Sequence, residues 1–142
     1  MPAYDSSNIF AKILRGELPC HKVYEDERTL AFMDVMPRAE GHVLVIPKSP
    51  SRNLLDAAPD DLAAVIATAQ KVARGARTAM KADGITLQQF NESAGGQVIF
   101  HLHFHILPRW DGVPLKPHTG AMADQANLQE QARRIRKALD AG

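Results

Sequence analysis

The chain has little of several features that mark specialised proteins. Its only cysteine is Cys20, so no intramolecular disulfide can form, and the chain fits a reducing compartment. No run approaches the length of apolar sequence that a transmembrane helix needs, and the N-terminus lacks the basic and apolar regions of a secretory signal. We therefore expect a cytoplasmic protein with no membrane partner.

An excess of charge of one sign is also missing. Seventeen Lys and Arg residues are balanced by sixteen Asp and Glu residues, which gives a formal net charge of +1. A protein dedicated to binding nucleic acid usually has a strongly basic surface, so we expect no nucleic-acid partner. The 142 residues, 45% of them hydrophobic and 23% charged, are typical of one soluble globular domain over residues 1–142.

Hydrophobic periodicity and turn residues predict the order of elements. Helical spacing with plausible caps marks the helices, and short β-branched or aromatic runs bounded by turn residues mark the strands. The predicted elements are a helix at 8–15, strands at 22–25, 29–34 and 42–46, a helix at 59–80, strands at 85–91 and 98–107, and a helix capped by Asp124. Strands grouped by hairpins, with helices between and after them, favour an α+β fold with an antiparallel sheet.

The last predicted strand contains a row of histidines. Because side chains alternate along a strand, His101, His103 and His105 would share one face, with apolar residues on the other. A solvated or core-satisfied row is one interpretation. A metal site is a second, but the nearest carboxylates in sequence, Glu92 and Asp111, do not alternate onto that face. The third is catalysis by histidine itself, because one imidazole can attack while its neighbour donates a proton at neutral pH.

A glycine-containing turn precedes the histidines. Residues 91–97 (NESAGGQ) place Gly95 and Gly96 just before the last strand. Glycines let successive N–H groups approach an anion, so the turn could cradle a phosphate, although a plain hairpin turn is the alternative. With three histidines following, an anion site is the better interpretation. A nucleophile, a proton donor and an oxyanion cradle together suit phosphoryl or nucleotidyl transfer.

The histidine row resembles a known family signature. Residues 101–107 (HLHFHIL) match the pattern of the histidine triad (HIT) family, His-φ-His-φ-His-φ-φ with φ apolar. Segments 8–13 (NIFAKI), 30–35 (LAFMDV) and 41–48 (GHVLVIPK) also resemble family segments, in the expected order. The resemblance, to bacterial Hint-like or Fhit-like nucleotidyl hydrolases, covers a core at about 5–110 and leaves 111–142 as a C-terminal helical extension.

The resemblance implies a fold and a reaction. The fold would be a five-stranded antiparallel sheet with a long helix, two such sheets being joined across a homodimer. The reaction would be hydrolysis or transfer at the α-phosphate of a purine nucleotide, with no cofactor and no metal. His103 would be the nucleophile, giving a nucleotidyl-histidine that water resolves, with one ring nitrogen held by a backbone carbonyl near His101. His105 would contact the leaving group or phosphate. His101 and His42 would support the two reacting histidines, His103 and His105.

The same resemblance implies a pocket for an AMP-type nucleotide. Asp34 would accept hydrogen bonds from the ribose hydroxyls through its two carboxylate oxygens. The phosphate and leaving group would meet Asn91, Gly96, Gln97 and the backbone N–H of Val98. The base would be enclosed by five apolar side chains, those of Ile9, Phe10, Ile13, Phe32 and Val35.

Some positions depart from the family pattern. Val98 stands where Ser or Thr is common, which removes a hydrogen bond to phosphate typically worth about 0.5–1.5 kcal/mol and predicts a weaker phosphate grip. Many bacterial relatives have a structural zinc site built from Cys-x-x-Cys and a later His. Asn8, Ala11 and Pro50 occupy the matching positions here, so we expect that zinc to be absent.

Two segments point to different branches of the family and so to different substrates. The ending at 107–109 (LPR) resembles the Fhit branch of dinucleoside polyphosphate hydrolases, whereas 41–48 looks more like the Hint branch of nucleoside phosphoramidases. Our first expectation is a metal-independent hydrolase of purine nucleoside phosphoramidates or adenylates. The alternatives are an Ap3A- or Ap4A-type dinucleoside polyphosphate hydrolase using the same residues, and a nucleotide-binding scaffold protein with incidental activity.

Overall fold

The computed structural model describes residues 2–117 and 121–141. Its helices are α1 (Ile9–Leu14), α2 (Pro59–Ala79) and α3 (Gln125–Ala141). Its strands are β1 (Lys22–Glu25), β2 (Thr29–Met33), β3 (Val43–Pro47), β4 (Gly84–Gln88) and β5 (Phe104–Arg109). The strands form one antiparallel sheet in the order β1-β2-β3-β5-β4, so the predicted α+β fold with a five-stranded sheet is confirmed.

The two faces of the sheet carry separate apolar clusters. One face packs against α2 and α3, where Val65, Val72 and Ile135 are fully buried. The other face packs against α1, with Phe10 and Phe32 in a smaller cluster. Burying a side chain of this size stabilises the fold by about 1.5–3 kcal/mol, so both clusters fix the helices on the sheet. Because α3 contributes to the larger cluster, the predicted C-terminal extension supplies part of the core.

Local signals in the sequence identify the helix starts correctly. Oδ1 of Asn8 accepts the N–H of Ala11 at 2.9 Å and caps α1, and Pro59 opens α2. Ile66 of α2 is 45% exposed, although its spacing from Leu62, Val65 and Ala69 places it on the apolar stripe of the helix. Thr68 is buried instead, because its hydroxyl pairs with that of Thr29 on β2 at 2.8 Å. None of the helices in the described ranges has the length and apolar character needed to cross a bilayer.

The expected end of the last strand at a proline is wrong. β5 continues to Arg109, and Pro108 pairs with Ile85 of β4. The neighbouring strand β3 pairs with β5 only as far as Ile106, so beyond that point β5 has a single strand beside it. A proline, which has no N–H to donate, is tolerated where one side of a strand has no partner.

The expected start of the last strand is also wrong. β5 begins at Phe104, and residues 98–103 lie outside the sheet. Their hydrogen bonds go to the loop after β3 instead: the N–H of Leu102 donates to the carbonyl of Ser51 at 2.8 Å. The other strand bounds differ by smaller amounts, since β3 extends through Pro47 and β4 ends at Gln88.

Gly41 makes a tight turn just before His42, and its replacement should destabilise the fold. Its φ is +78°, and a Cβ there would lie 2.6 Å from Cγ of Met80. We expect Gly41→Ala to lower the free energy of unfolding by about 1–3 kcal/mol, because the methyl group strains the left-handed backbone and displaces Met80. Thermal unfolding followed by circular dichroism should show a Tm lower by roughly 4–12 °C.

Gly84 provides the matched control for that substitution. A Cβ at Gly84 would meet nothing within 4 Å, so Gly84→Ala should leave the stability within about 0.5 kcal/mol of wild type. If Gly41→Ala and Gly84→Ala had the same Tm, the close approach of Gly41 to Met80 would not constrain the turn.

Candidate active site

The predicted histidines meet on the face of the sheet that packs against α1. His103 lies between Phe10 and His105, with a ring-centroid distance of 5.0 Å to each. His42, immediately before β3, has its ring 5.2 Å from that of His105. The structure thus brings the row together even though two of its members, His101 and His103, precede β5.

His103 is oriented by a backbone contact. Its Nδ1 lies 2.7 Å from the carbonyl oxygen of His101, as the resemblance implies. A carbonyl only accepts, so Nδ1 must carry the proton and Nε2 must carry the lone pair. Burial lowers the pKa of His103, although the contact with the His101 carbonyl opposes this effect. The ring is therefore neutral at physiological pH, with Nε2 in the state that a nucleophile requires.

His101 has no exposed surface, and both of its ring nitrogens are engaged inside the protein. Nε2 donates to the carbonyl of Pro47 at 2.8 Å, and Nδ1 accepts from the hydroxyl of Tyr4 at 2.6 Å. Burial lowers the pKa of His101 to about 4, so the ring is neutral at pH 7. Its side chain therefore holds the segment before β5 in place, and its backbone carbonyl contacts the ring of His103.

Tyr4 is a site residue that sequence reasoning missed. Besides donating to His101, its hydroxyl accepts a hydrogen bond from Nδ2 of Asn8 at 3.0 Å. Asn8 is also the cap of α1, so one residue connects the helix start to the histidine segment. Tyr4 and His101 are 97 positions apart, and no local spacing could have linked them.

His42 and His105 form a directed pair. The backbone N–H of Arg38 donates to Nδ1 of His42 at 3.1 Å, which leaves the His42 proton on Nε2. That proton points to Nδ1 of His105 at 3.0 Å. Because Nδ1 of His105 accepts, the proton of a neutral His105 lies on Nε2. The chain of hydrogen bonds thus leaves His105 with an Nε2 proton to donate, next to the ring of His103.

A carboxylate from a remote segment also approaches the histidines, although the carboxylates nearest to them in sequence are Glu92 and Asp111. Oδ2 of Asp34 lies 3.5 Å from Nε2 of His42, and the ligand atoms of Asp34, His42 and His105 lie within 4.8 Å of one another. Three such groups could hold a metal ion. However, the proton on Nε2 of His42 occupies the position that would face the ion. The arrangement therefore fits proton donation better than metal binding.

Asp34 has the surroundings of a partly buried acceptor. One of its oxygens, Oδ1, accepts the N–H of Met36 at 2.8 Å. Burial raises the pKa of Asp34, and the hydrogen bond from Met36 opposes this rise. Its side chain keeps one fifth of its surface exposed, so a ligand hydroxyl has access to it.

The five apolar residues expected around a base divide into two groups. Phe10 and Phe32 are buried, with rings 5.3 Å apart, and Ile13 packs against the same cluster. Ile9 is 46% exposed and Val35 is 40% exposed. Phe10 and Phe32 form the floor beside His103, whereas Ile9, Val35 and the half-buried Ile13 have surface to offer a ligand.

The turn before the histidines does not form the anion cradle that its glycines predict. Gly95 and Gln97 donate their N–H groups to the carbonyl of Glu92 at 3.0 Å, and Gly96 donates to that of Ser93 at 3.0 Å. Glu92 has φ +63° and the following residues form a short 3-10 helix, which directs these N–H groups inward. Three N–H groups expected to face a phosphate are thus used inside the turn.

Two amide side chains expected near the phosphate are also engaged within the protein. Gln97 is buried and its amide makes four hydrogen bonds, two of them to the side chain and backbone of residues 52–53. Oδ1 of Asn91 accepts the N–H of Leu54 at 2.8 Å. The side chain of Val98 is 81% exposed. Phosphate contacts from this turn stay a prediction. The observed hydrogen bonds of Asn91 and Gln97 hold the turn against residues 52–54.

Comparisons with known proteins agree on the family. The HIT domain profile matches residues 15–112. A solved Hit-like protein of Bartonella henselae is 51% identical with a TM-score of 0.90, over 96% of this chain and 99% of that one. A hypothetical histidine triad nucleotide-binding protein of Sulfolobus tokodaii is 36% identical with a TM-score of 0.86, over 94% of this chain and 92% of that one. The adenylylsulfatase HINT3 of Arabidopsis thaliana is 36% identical over 84% of this chain and 64% of its own length. The chain belongs to the HIT family.

Proposed function

We propose that the protein is a purine nucleotide-binding hydrolase that cleaves at the α-phosphate of nucleoside phosphoramidates or adenylates through a nucleotidyl-histidine. The observation that carries this proposal is the 2.7 Å contact between Nδ1 of His103 and the carbonyl of His101. It fixes the ring in the tautomer whose Nε2 can attack, and the neighbouring His105 is set as a proton donor. Two relatives support the substrate class by name, one as a nucleotide-binding protein and one as an adenylylsulfatase.

The reaction runs in two steps on these two rings. Nε2 of His103 attacks the α-phosphorus, and the new N–P bond forms as the bond to the leaving group breaks. The proton on Nε2 of His105 passes to the leaving atom as that bond breaks, and the negative charge left on the His105 ring is balanced by the positive charge that the His103 ring gains with the N–P bond. Water then attacks phosphorus, its proton returns to His105, and the N–P bond breaks to release the nucleoside monophosphate. Both rings end neutral, as they began.

The nucleoside would lie beside α1. Asp34 supports a ribose site because its carboxylate is accessible and can accept two hydroxyl hydrogen bonds. Ile9 and Val35 offer the exposed apolar surface that a purine ring would cover. Phe10 and Phe32 lie beneath and hold the floor of the pocket rigid.

One observation favours a dinucleoside polyphosphate as the second candidate substrate. Nη1 of Arg38 lies 3.4 Å from Oε1 of Gln88, and Gln88 pairs with His105 across β4 and β5. Within the described ranges, Arg38 forms no ion pair. A guanidinium group whose partner Gln88 lies beside the proton donor would suit the phosphates of a nucleotide leaving group.

We also propose a homodimer contact at β4. This strand is at the edge of the sheet, and Leu87 within it is 48% exposed. Pairing with a second β4 would join two sheets and cover both edges. The opposite edge, β1, is already flanked by α3, since Arg136 donates to the carbonyl of Lys22 at 2.5 Å.

The experiment that tests the function measures AMP release in the presence of a chelator. A fluorogenic adenosine phosphoramidate, adenylyl sulfate and diadenosine triphosphate should be compared as substrates of the wild-type protein. We expect multiple turnovers with at least one of them and no loss of rate on adding chelator, because the histidines supply both the nucleophile and the proton. Quenching at alkaline pH should preserve an adenylyl adduct, which mass spectrometry of peptides would assign to His103.

Two results would contradict the proposal. Tight AMP binding without turnover of any of the three substrates would indicate a binding protein. Turnover that stops with chelator and returns with a divalent cation would indicate metal catalysis. The ratio of rates on the phosphoramidate and on diadenosine triphosphate separates the two substrate classes.

A further inference from the structure

The segment that carries the nucleophile lies along the loop that follows β3. Three backbone carbonyls between the end of β3 and this loop accept hydrogen bonds from residues 97–102: Pro47 from the His101 ring at 2.8 Å, Ser51 from the Leu102 N–H at 2.8 Å, and Arg52 from the Gln97 amide at 2.8 Å. This loop therefore replaces a neighbouring strand. It explains why residues 98–103 follow an irregular path instead of continuing β5.

The irregular path is what allows the nucleophile to be oriented. In an extended strand the carbonyl groups lie in the plane of the sheet, while the side chains point out of it. A side chain could not then reach the carbonyl two residues earlier. His103 makes that contact with His101 at 2.7 Å, so the chain must leave the extended conformation there. Whatever holds the segment against the loop also holds Nε2 of His103 in its attacking position.

One ion pair joins this loop to the turn that precedes the histidines. Nε and Nη2 of Arg52 donate to the two carboxylate oxygens of Glu92 at 2.8 and 3.0 Å. The guanidinium also lies 4.1 Å above the ring of Phe100, and Nδ2 of Asn53 donates to the same carboxylate at 2.6 Å. Arg52 keeps only 11% of its side chain exposed. This is a bidentate, stacked and largely buried pair, unlike an ordinary surface salt bridge.

We propose that Arg52 and Glu92 are positioning residues, which clamp the turn and the His103 segment onto the loop after β3 and so maintain the His103–His101 contact. The proposal rests on the proposed function for the role of His103, but the clamp itself is defined by contacts that involve no substrate. Glu92 has the left-handed φ of +63°, a conformation that surrounding contacts must maintain. The clamp supplies those contacts at the point where the chain turns towards the histidines.

The charge of Glu92 must also be balanced, and Arg52 supplies the balancing charge. The hydrogen bond from Arg52 lowers the pKa of Glu92, so the carboxylate is charged at neutral pH and its charge is balanced by Arg52. If Arg52 were removed, an unbalanced carboxylate would remain beside the turn that leads to the nucleophile. An anionic substrate would then be repelled, and the turn would lose its fixed path. Adding Glu92→Gln to a variant that lacks Arg52 should relieve the repulsion of the substrate, but it should not restore the path of the turn.

The test compares Arg52→Met with Arg133→Met. Arg133 is the matched control, because it makes the same bidentate pair with Glu130 at 2.9 and 2.6 Å, but on the exposed surface of α3. For Arg52→Met we expect kcat on the phosphoramidate to fall roughly 10- to 100-fold, because a small displacement of the nucleophile has effects of this size. The Arg133→Met variant should retain the wild-type kcat.

Nuclear magnetic resonance gives a readout that a merely structural role would not change. The Nδ1 proton of His103 should be visible in the wild type as a slowly exchanging imidazole resonance, because it is buried and bonded to a carbonyl. In Arg52→Met this resonance should exchange faster or disappear, while methyl resonances of Val65 and Val72 in the main core stay in place. This measurement needs no turnover, so it tests the clamp even if the proposed reaction is wrong.

A second variant covers the case in which Arg52→Met does not fold. Arg52→Lys keeps the charge but loses the bidentate fork and the stacking on Phe100, so we expect a reduced kcat and a weakened His103 resonance here too. A folded Arg52→Met or Arg52→Lys protein with wild-type kcat and an unchanged His103 resonance would overturn the proposal. If the wild-type protein shows no turnover, the NMR measurement alone tests the clamp. An unchanged His103 resonance in either variant would then overturn the proposal.

Discussion

His103→Ala is expected to lower kcat on an adenosine phosphoramidate by roughly 10³- to 10⁶-fold, the range seen when a nucleophile is removed from a site whose other groups remain. Nε2 of His103 is the atom that the His101 carbonyl leaves with a lone pair. Without it no nucleotidyl-histidine can form. AMP should still bind, measured by calorimetry, because Asp34, Ile9 and Val35 are untouched.

The control for this experiment is His21→Ala. The ring of His21 bonds to Gln125 at 2.7 Å, at the start of α3. Its loss should leave kcat within about twofold, as for surface substitutions generally. Undiminished turnover by His103→Ala would show that another group attacks phosphorus, and loss of AMP binding in that variant would point to collapse of the pocket floor against Phe10, which packs on the ring.

Much of the fold could be predicted because its signals are local. The cap at Asn8, the proline at the start of α2 and the hairpin between β1 and β2 each depend on residues within a few positions of one another. The hairpin tip is held by Asp26, whose Oδ1 accepts the N–H groups of Arg28 and Thr29 at 2.8 Å. Such contacts depend on short stretches of sequence, so the order of the helices and strands could be predicted from them.

The path of residues 98–103 could not be predicted, because it depends on contacts with residues far away in the sequence. Alternation of histidine with apolar residues is a strand signal, and it holds from Phe104 onward. Before that point, hydrogen bonds to Pro47 and Ser51 replace the ladder, and these partners are about fifty positions away. Tertiary contacts therefore overrode the local pattern where the chain approaches the nucleophile.

The candidate site shows the same division. The histidine motif identified the residues, and the contact between His103 and the His101 carbonyl lies within that motif. Tyr4 comes from a segment remote from the motif, and the backbone N–H of Arg38 contacts His42 within a loop that the motif does not include. The glycines of the turn led to the expectation of an anion cradle, but glycine permits such a cradle and does not require one. Here the N–H groups of Gly96 and Gln97 bond within the turn.

His105→Ala should have an effect that depends on the leaving group. With an amine leaving from phosphorus, the loss should be about 10²- to 10⁴-fold in kcat, because the nitrogen must gain a proton as it departs. With the 4-nitrophenyl ester of AMP, whose leaving group departs as a stable anion, the loss should be roughly tenfold or less, since no proton is needed. Steady-state rates on the two substrates measure the difference directly.

The comparison with His103→Ala separates the two roles. Removing the nucleophile should abolish turnover of both substrates, whereas removing the proton donor should spare the nitrophenyl ester. An equal loss on both substrates in His105→Ala would mean that His105 stabilises the phosphate charge and does not transfer a proton. The expected asymmetry follows from the relay through His42, in which the N–H of Arg38 sets the His42 proton on Nε2 and thereby the His105 proton on its own Nε2. The proton donor is thus determined by a backbone amide two rings away from the reacting phosphorus.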